Sequence, residues 1–178
     1  MATRQVAAIR PAESAIHLLH FQSPLGWLVL RISQEGIHAL DFVSDSPASV
    51  HVAQSPLLRA VSQALSTYFV NPDYTRPARN PFAVLPLAPL PGTAFQQAVW
   101  AYLSGIPLGE TRSYGEVARA LSSSPRAVGQ ACRRNPLPIL IPCHRVVART
   151  GIGGYSGATD GPEMQRKQWL LDHEKASI

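Results

Sequence analysis

The chain has 178 residues and a formal net charge of +5 at pH 7; 46% of its residues are hydrophobic and 15% are charged. This composition excludes a chain that is disordered throughout, and no uninterrupted apolar segment is long enough to predict a membrane span. Residues 1–14 lack the apolar core of a secretory signal, and two cysteines are too few for a disulfide framework. We therefore expect free thiols in a reducing compartment, the cytoplasm.

The positive charge is concentrated in the middle of the chain. The net charge is +1 over residues 1–92, +5 over residues 93–150 and −1 over residues 151–178. Such a surplus on one segment is typical of a surface that binds a polyanion, and nucleic acid is the expected partner. A GC-rich genome is an alternative reason for the excess of Arg over Lys, but it does not explain the clustering.

The first half of the chain is predicted to form an antiparallel meander followed by a helix. Turn signals that contain Gly26 and Gly36 separate three β-like runs. Apolar residues at helical spacing predict a helix over 56–69. The predicted strands cover residues 15–22, 27–32 and 37–43.

A proline-rich segment marks the predicted domain boundary. Residues 71–92 contain many prolines and have no hydrophobic periodicity, which is typical of a connection between domains. We divide the chain into a tail, an N-terminal α/β domain, a linker and a C-terminal domain. These parts cover residues 1–14, 15–85, 86–92 and 93–178, respectively.

The second half has the outline of a helix-turn-helix. An amphipathic stripe that begins at Phe95 predicts one helix. Ser113 and Glu116 predict a capping box for a second helix, and Ser124 followed by Pro125 predicts the start of a third. The third helix is rich in Arg, and two short helices around a tight turn are typical of DNA contact. A helical hairpin with a solvated basic face is the alternative.

The apolar run over residues 137–148 contains two reactive side chains, Cys143 and His144. Adjacent side chains of a flat strand point to opposite faces, so the two can cooperate only if the chain bends. Pro142 permits a bend because it has no N–H to lose from a strand ladder. The imidazole could then take the thiol proton, directly or through water, or a thiolate could be held beside His⁺ or Arg145. An inert buried cysteine beside a core histidine fits the same residues equally well.

Three further features have a functional and a plain structural interpretation. Cys132, Cys143 and His144 lack a well-spaced fourth ligand, so no metal site is expected. The glycine-rich segment 151–157 lets the backbone wrap closely around a planar ligand, or it is a flexible turn. Glu174 lies near the end of the last predicted helix, where an acid is unfavourable for the helix dipole. That position indicates another role for this carboxylate, or a solvated surface residue.

The string Pro-Cys-His-Arg-Val at 142–146, with Asn135-Pro upstream and Gly-Tyr155-Ser-Gly downstream, resembles the O6-alkylguanine-DNA alkyltransferases, or methylated-DNA–protein-cysteine methyltransferases. The likeness runs continuously from about Phe95 to Glu174. It implies an α+β protein, with a ribonuclease-H-like antiparallel sheet plus helix and a mostly helical C-terminal active-site domain with a helix-turn-helix. It also implies repair of O6-alkylguanine in duplex DNA by irreversible, stoichiometric transfer to the protein's own cysteine after nucleotide flipping, without a cofactor.

The resemblance implies a role for each matching residue. Cys143 accepts the alkyl group, His144 activates it through a water, Glu174 orients the imidazole and Asn135 braces the reactive segment. The residues implied in DNA binding are Tyr114, Arg126, Ala127, Gly129 and Arg133. The residues implied in the substrate pocket are Tyr114, Cys132, Pro138, Val146, Tyr155 and Ser156.

The same likeness assigns contacts to the flipped nucleotide. Arg126 fills the space that the base leaves, and Tyr114 crowds the phosphate and can donate to the base. The backbone N–H of Ser156 meets O6, and the carbonyls of Cys143 and Val146 accept from the exocyclic amine. The third helix is expected in the minor groove, with a monomer in solution. Cooperative binding along DNA and the range of alkyl groups are left open.

Other classes of function fit parts of the sequence. A Cys–His hydrolase would need an oxyanion hole and would turn over. A DNA-binding regulator would read sequence through its helix-turn-helix and leave Cys143 as a bystander or sensor. A damage-sensing protein would bind alkylated DNA without repairing it.

Overall fold

A computed structural model of the chain describes residues 15–45, 55–70 and 80–174. These segments form a three-stranded antiparallel sheet, five α-helices and a short parallel strand pair, which confirms the predicted α+β class. No helix in these segments is both long and apolar enough to cross a membrane. The elements of the first half are β1 (His17–Ser23), β2 (Gly26–Ser33), β3 (Gly36–Val43) and α1 (Pro56–Val70).

The sheet has the order β1-β2-β3, because each predicted turn joins strands that pair directly. Side chains alternate across a strand, and Leu28, Leu30 and Ile32 on β2 all face the core. Val61 and Leu65 of α1 belong to the same core. The meander and the helix predicted from periodicity are therefore confirmed.

The predicted linker is packed against the sheet. The Ile37 N–H donates to the Pro86 carbonyl at 3.0 Å, and the Ala88 N–H donates to the Ile37 carbonyl at 3.1 Å. At Gly36, which has a φ of 133°, a Cβ would lie 2.6 Å from the Pro86 oxygen, so this approach requires glycine. The chain after residue 85 is thus held beside β3, although the division into domains stays a prediction. The predicted tail and residues 71–79 lie outside the described residues.

Side-chain caps start the helices of the second half. The Ser113 hydroxyl accepts from the Glu116 N–H at 3.1 Å and the Glu116 carboxylate accepts from the Ser113 N–H at 2.6 Å, which confirms the predicted capping box. Ser124 caps the next helix by accepting from the Ala127 N–H at 3.2 Å. Thr93 caps the first of these helices with a box that the sequence interpretation missed. The elements are α2 (Ala94–Ser104), β4 (Arg112–Ser113), α3 (Tyr114–Ala120), α4 (Pro125–Arg133), β5 (Val146–Val147) and α5 (Gly161–His173).

A parallel strand pair joins the helix-turn-helix to the reactive segment. Arg112 pairs with Val146 and Ser113 pairs with Val147. Strands of two residues carry no periodic signal, so the sequence did not predict this pair. It places Tyr114, the first residue of α3, beside the segment that contains Cys143.

Contacts between the two halves fix the position of α5. The His173 Nε2–H donates to the Tyr68 carbonyl at 2.7 Å, and the imidazole stacks on Trp169 with ring centroids 4.6 Å apart. The Leu40 N–H of β3 donates to the Pro136 carbonyl at 2.9 Å. The N-terminal sheet and helix therefore contact both α5 and the reactive segment.

Candidate active site

The reactive segment bends at Pro142, as predicted. Cys143–Arg145 forms one 3-10 turn, in which the Arg145 N–H donates to the Pro142 carbonyl at 3.0 Å. Ile139, shortly before the bend, has a φ of 75°, which β-branched residues rarely adopt. The bend gives the neighbouring side chains different surroundings: Cys143 lines a cavity, whereas His144 is fully buried.

A cavity of about 180 Å³ opens beside α4, and Cys143 forms part of its wall. The residue is only 5% exposed, so the thiol is reachable through this cavity but is otherwise enclosed. An inert cysteine sealed under packed side chains does not describe this position. The other lining residues are Tyr114, Gly129, Cys132, Arg133 and residues 154–159.

Asn135 holds the bend and contacts the thiol. Its Nδ2 donates to the Ile141 carbonyl at 2.8 Å and to the Cys143 Sγ at 3.2 Å, while its Oδ1 accepts from the Leu137 N–H at 3.0 Å. Burial raises the pKa of the Cys143 thiol, and the Asn135 hydrogen bond and the charge of Lys167 act in the opposite direction. The thiol is thus protonated at rest, with a donor and a cation placed to stabilise a thiolate.

The hydrogen bond between His144 and Glu174 defines the tautomer of the imidazole. The distance from Nε2 to the Glu174 Oε1 is 2.8 Å, and an ionised carboxylate only accepts, so Nε2 carries the proton. Nδ1 is then an acceptor, and it has no partner among the described residues. Burial lowers the pKa of His144, and Glu174 opposes that shift, so the imidazole is neutral near pH 7. A neutral imidazole with a free lone pair can act as a base.

Glu174 lies at the centre of a buried polar network. Its carboxylate accepts from the Tyr68 hydroxyl at 2.7 Å and from the Nε and Nη2 of Arg145 at 2.7 and 2.9 Å. Burial would raise the pKa of the carboxyl, but His144 and Arg145 together hold it well below its usual range. The remaining Arg145 contact is a donation to the Ile106 carbonyl at 2.6 Å. Arg145 therefore pairs with Glu174 rather than with a thiolate, the alternative suggested by the sequence.

Lys167 is a buried residue of the site that sequence reasoning missed. Its Nζ donates to the Val146 carbonyl at 2.5 Å and to the Gly154 carbonyl at 2.9 Å. Burial lowers the pKa of the amine to about 8. The amine therefore remains mostly protonated near pH 7, and its N–H groups are enough for both carbonyls. The sequence signal that could have found it is helical spacing, because Lys167 is three residues after Met164 and four before Leu171, which places it on the same helix face as these two apolar residues.

Four of the six predicted pocket residues line the cavity that contains the thiol. The Tyr114 hydroxyl donates to the Gly154 carbonyl at 3.0 Å. Burial raises the pKa of Cys132 to about 12, so this second thiol is neutral. The four are Tyr114, Cys132, Tyr155 and Ser156.

The other two predicted pocket residues lie outside this cavity. Pro138 lines a neighbouring cleft, and Val146 is buried with its carbonyl bound by Lys167. No three His, Cys, Asp or Glu side chains in the described segments come together as metal ligands.

The predicted DNA-binding residues of α4 differ in exposure. Arg126 is exposed in the first turn, whereas Ala127 is half-buried. A Cβ at Gly129 would lie 3.9 Å from the Tyr114 ring, an ordinary contact, so the fold itself does not require glycine there. Arg133 lines the cavity and is so close to Gly157 that a Cβ at Gly157 would lie 2.6 Å from its Nε.

Comparison with known proteins identifies the family to which this chain is related. Residues 94–176 match the family model described as 6-O-methylguanine DNA methyltransferase, DNA binding domain. The constitutive methylated-DNA–protein-cysteine methyltransferase of Bacillus subtilis is 37% identical over 88% of this chain and 93% of its own length. The chain is also similar to the protein in a crystal structure of Mycobacterium tuberculosis OGT in complex with DNA. The two sequences are 34% identical, the TM-score is 0.68, and the match covers 89% of this chain and 92% of the Mycobacterium tuberculosis chain. The likeness extends over both halves of the chain, and the chain therefore belongs to the methylated-DNA–protein-cysteine methyltransferase family.

Proposed function

We propose that this protein repairs O6-alkylguanine in double-stranded DNA by direct, irreversible transfer of the alkyl group to its own Cys143. One observation carries the proposal: the Cys143 thiol lines an open cavity beside α4, and the His144–Glu174 pair is buried behind it. The name of the Bacillus subtilis relative and the DNA complex of the Mycobacterium tuberculosis relative support both the chemistry and the partner.

The target nucleotide must leave the duplex before its O6 substituent can reach the thiol. Extrusion costs a few kcal/mol of stacking and pairing. Arg126 is exposed at the start of α4, and its side chain would fill the gap in the stack; such a wedge offsets part of that cost. Ala127 and Gly129 add little bulk to the same helix, which favours close approach to the minor groove. Arg133, at the cavity wall, supplies positive charge near the phosphates.

The flipped guanine would be held largely by backbone groups. The Ser156 N–H meets O6, and the carbonyls of Cys143 and Val146 accept from the exocyclic amine. Lys167 supports this arrangement because its Nζ fixes the Val146 carbonyl. Burial raises the pKa of Tyr114, so its hydroxyl stays protonated near pH 7, and its donation to the base would replace the hydrogen bond to the Gly154 carbonyl.

The transfer is a displacement at carbon. The thiol proton passes through a water to Nδ1 of His144, and the Cys143 sulfur attacks the alkyl carbon. The S–C bond forms as the C–O6 bond breaks, and the electron pair of the C–O6 bond leaves with the guanine. The imidazolium returns the thiol proton through water to the guanine, which becomes neutral. Glu174 stabilises the imidazolium that forms.

The product is a thioether, which the described residues offer no means to cleave, so each molecule acts once. We further propose that the protein acts as a monomer in the cytoplasm. Both cysteines are free, and a reducing compartment preserves the acceptor thiol.

The proposal predicts one alkylated cysteine per protein molecule. After incubation with an excess of duplex that contains O6-methylguanine, peptide mass mapping is expected to find one added methyl group on the Cys143 peptide and none on the Cys132 peptide. The Cys143→Ser variant is expected to gain none while keeping a native thermal transition. Unmodified Cys143 in intact protein after full incubation contradicts the proposal, and release of methyl with regeneration of the thiol contradicts the single use.

The proposed wedge makes a separate prediction. Arg126→Ala is expected to slow transfer from duplex DNA by tenfold or more, because unstacking that costs a few kcal/mol is no longer offset. Transfer from the free O6-alkylguanine base, which needs no flipping, is expected to change by less than about twofold. Arg134→Ala, an exposed arginine at the end of the same helix, is the control for loss of charge alone. Equal losses with duplex and free base would rule out the wedge.

A further inference from the structure

A tyrosine of the N-terminal half reaches the polar network behind the thiol. Tyr68, near the end of α1, is 1% exposed, and its hydroxyl donates to the Glu174 Oε1 at 2.7 Å. The direction of this bond is fixed because an ionised carboxylate only accepts. Burial and the charge of Glu174 raise the pKa of Tyr68, so the phenol remains a donor through the neutral pH range. The carboxylate that binds His144 is therefore held in part by a residue outside the helix-turn-helix half of the chain.

Two hydrogen bonds join the end of α1 to the end of α5. The Tyr68 hydroxyl binds Glu174, and the Tyr68 carbonyl accepts from the Nε2–H of His173, the preceding residue, at 2.7 Å. The Tyr68 ring also packs edge-on against the His173 ring, with centroids 5.3 Å apart, and lies 5.4 Å from the Phe82 ring. These contacts leave the phenol little freedom to rotate, so its hydroxyl has a fixed position relative to Glu174.

Three donors share one oxygen of Glu174. Oε1 accepts from the Tyr68 hydroxyl at 2.7 Å, from the His144 Nε2 at 2.8 Å and from the Arg145 Nη2 at 2.9 Å, whereas Oε2 accepts from the Arg145 Nε. Each donor withdraws negative charge from the oxygen that it binds. A third donor therefore leaves Oε1 a weaker partner for the N–H of His144. The imidazolium that forms during transfer is stabilised less than it would be by an oxygen with two donors.

We propose that Tyr68 is a positioning residue for alkyl transfer: its hydroxyl holds the Glu174 carboxylate against His144 and limits the proton affinity of the His144–Glu174 pair. This inference rests on the proposed function, in which the imidazole takes a proton from the thiol and returns it to guanine. An imidazole that is too basic is already protonated at rest and has no lone pair for the thiol proton. The N-terminal half thus acts on the chemistry as well as on the fold.

Other ionisable groups also act on this pair. Arg145 and Lys167 lower the pKa of His144 by their positive charge, in the same direction as burial. Helix α2, which also packs against the 3-10 turn, contains no acid, lysine, arginine or histidine. All these groups remain in the variants below, so a change in pH dependence reports the hydroxyl of Tyr68. The groups are Cys143 and Arg145 in the turn, Lys167 and His173 on α5, and Tyr155.

Tyr68→Phe removes the hydroxyl and keeps the ring. The rate of methyl transfer from a duplex with O6-methylguanine is measured against pH under single-turnover conditions. The acidic limb, where protonated His144 no longer accepts the thiol proton, is expected to move to higher pH by about one unit, which lowers the rate on that limb about tenfold. Above the limb the two proteins are expected to agree within about twofold. Tyr102→Phe, at a half-buried tyrosine of α2, is the matched control and is expected to leave the limb in place.

The imidazole itself gives a readout that does not depend on transfer. NMR titration of protein labelled with ¹⁵N-histidine, with the His144 signals assigned from a His144→Gln variant, follows both ring nitrogens. His144 is expected to become protonated at higher pH in Tyr68→Phe than in the wild type. The same titration in both proteins overturns this inference and leaves the proposed function intact. Absence of methyl transfer in the wild type overturns the proposed function, and the role of Tyr68 in transfer falls with it.

A stronger donor at the same position separates charge withdrawal from a purely structural role. Replacing Tyr68 with 3-fluorotyrosine makes the phenol more acidic and keeps its hydrogen bond, so the acidic limb is expected to move to lower pH, opposite to the shift in Tyr68→Phe. Thermal transitions check that both variants are folded, and the fluorinated protein decides alone if Tyr68→Phe does not fold. A limb that stays at the wild-type position, or a rate lowered by the same factor at every pH, shows that Tyr68 only supports the packing and overturns the inference.

Discussion

Replacing Glu174 with Ala is expected to lower the free energy of unfolding by about 3–5 kcal/mol and to abolish alkyl transfer at neutral pH. The carboxylate is buried and accepts from both His144 and Arg145. Its removal leaves the fully buried Arg145 guanidinium without its counter-charge, which is among the most costly changes that a single substitution makes. It also removes the acceptor that keeps the His144 proton on Nε2, so Nδ1 is no longer fixed as the basic nitrogen that the proposed proton transfer needs.

Chemical denaturation and single-turnover transfer assays check this result. Asp172→Ala removes an exposed acid from the last turn of α5 and is the matched control, with an expected change within about 0.5 kcal/mol. The Glu174→Gln variant keeps the shape of the side chain but loses its charge, and its free energy of unfolding is also expected to be lower than that of the wild type. If Glu174→Ala and Asp172→Ala unfold at the same denaturant concentration, the network around Glu174 is not what stabilises this part of the fold.

The same carboxylate predicts an acid-dependent loss of stability. Its pKa is lower in the folded protein than the value of 4.5 that it has when unperturbed, so the unfolded state binds the proton first. The stabilising contribution is therefore complete above pH 4.5 and is lost as the pH falls towards the folded pKa. The difference in unfolding free energy between the wild type and Glu174→Gln should shrink over that acid range, and a constant difference would contradict the charge pairing.

Replacing Asn135 with Ala is expected to slow transfer at pH 7 by tenfold or more and to move the pH–rate profile to higher pH. The Asn135 amide donates to the Cys143 Sγ, and this contact opposes the effect of burial on the thiol pKa. Without it the pKa rises further, and each unit of increase lowers the thiolate fraction about tenfold. The Ile141 carbonyl and the Leu137 N–H also lose their partner, at a cost of about 1–3 kcal/mol each.

Asn135→Asp separates the effect on the sulfur from the effect on the backbone. Its carboxylate still accepts from the Leu137 N–H but places a negative charge beside Cys143, which raises the thiol pKa. We therefore expect the Asp variant to be more stable than the Ala variant, with a pH–rate profile shifted upwards from that of the wild type. A profile that stays at the wild-type position in both variants would mean that Asn135 braces the segment without affecting the thiol.

Local interactions explain why much of the fold could be predicted. The Ser113–Glu116 capping box and the Ser124 cap are formed by residues three apart, and their chemistry is readable from residue type and order. Pro142 indicated the bend at Cys143, because proline cannot continue a strand ladder. The α+β class followed from turn residues and hydrophobic periods in the same way.

The buried charged groups are stabilised by contacts between residues that are far apart in the sequence, so no local sequence pattern predicts them. Tyr68 reaches Glu174 across 106 positions of the chain, and Arg145 reaches the Ile106 carbonyl across 39. Lys167 has helical spacing typical of a core residue, but its residue type predicts exposure. The hydrogen bonds to the Val146 and Gly154 carbonyls make its burial tolerable. The candidate residues could therefore be chosen from the sequence, but their protonation states could not be predicted from it.

What the amino-acid order determined by itself is the three strands of the sheet, the helices, the caps at Ser113 and Ser124 and the segment that contains the candidate cysteine, since each depends on interactions within a few residues. The tertiary structure alone decided which tautomer His144 adopts, that Arg145 pairs with Glu174, and that a cleft opens between the N-terminal sheet and Ser156. Electrostatic effects and cavities arise where distant segments meet, because burial removes water from charged groups and packing leaves the spaces that a substrate can enter.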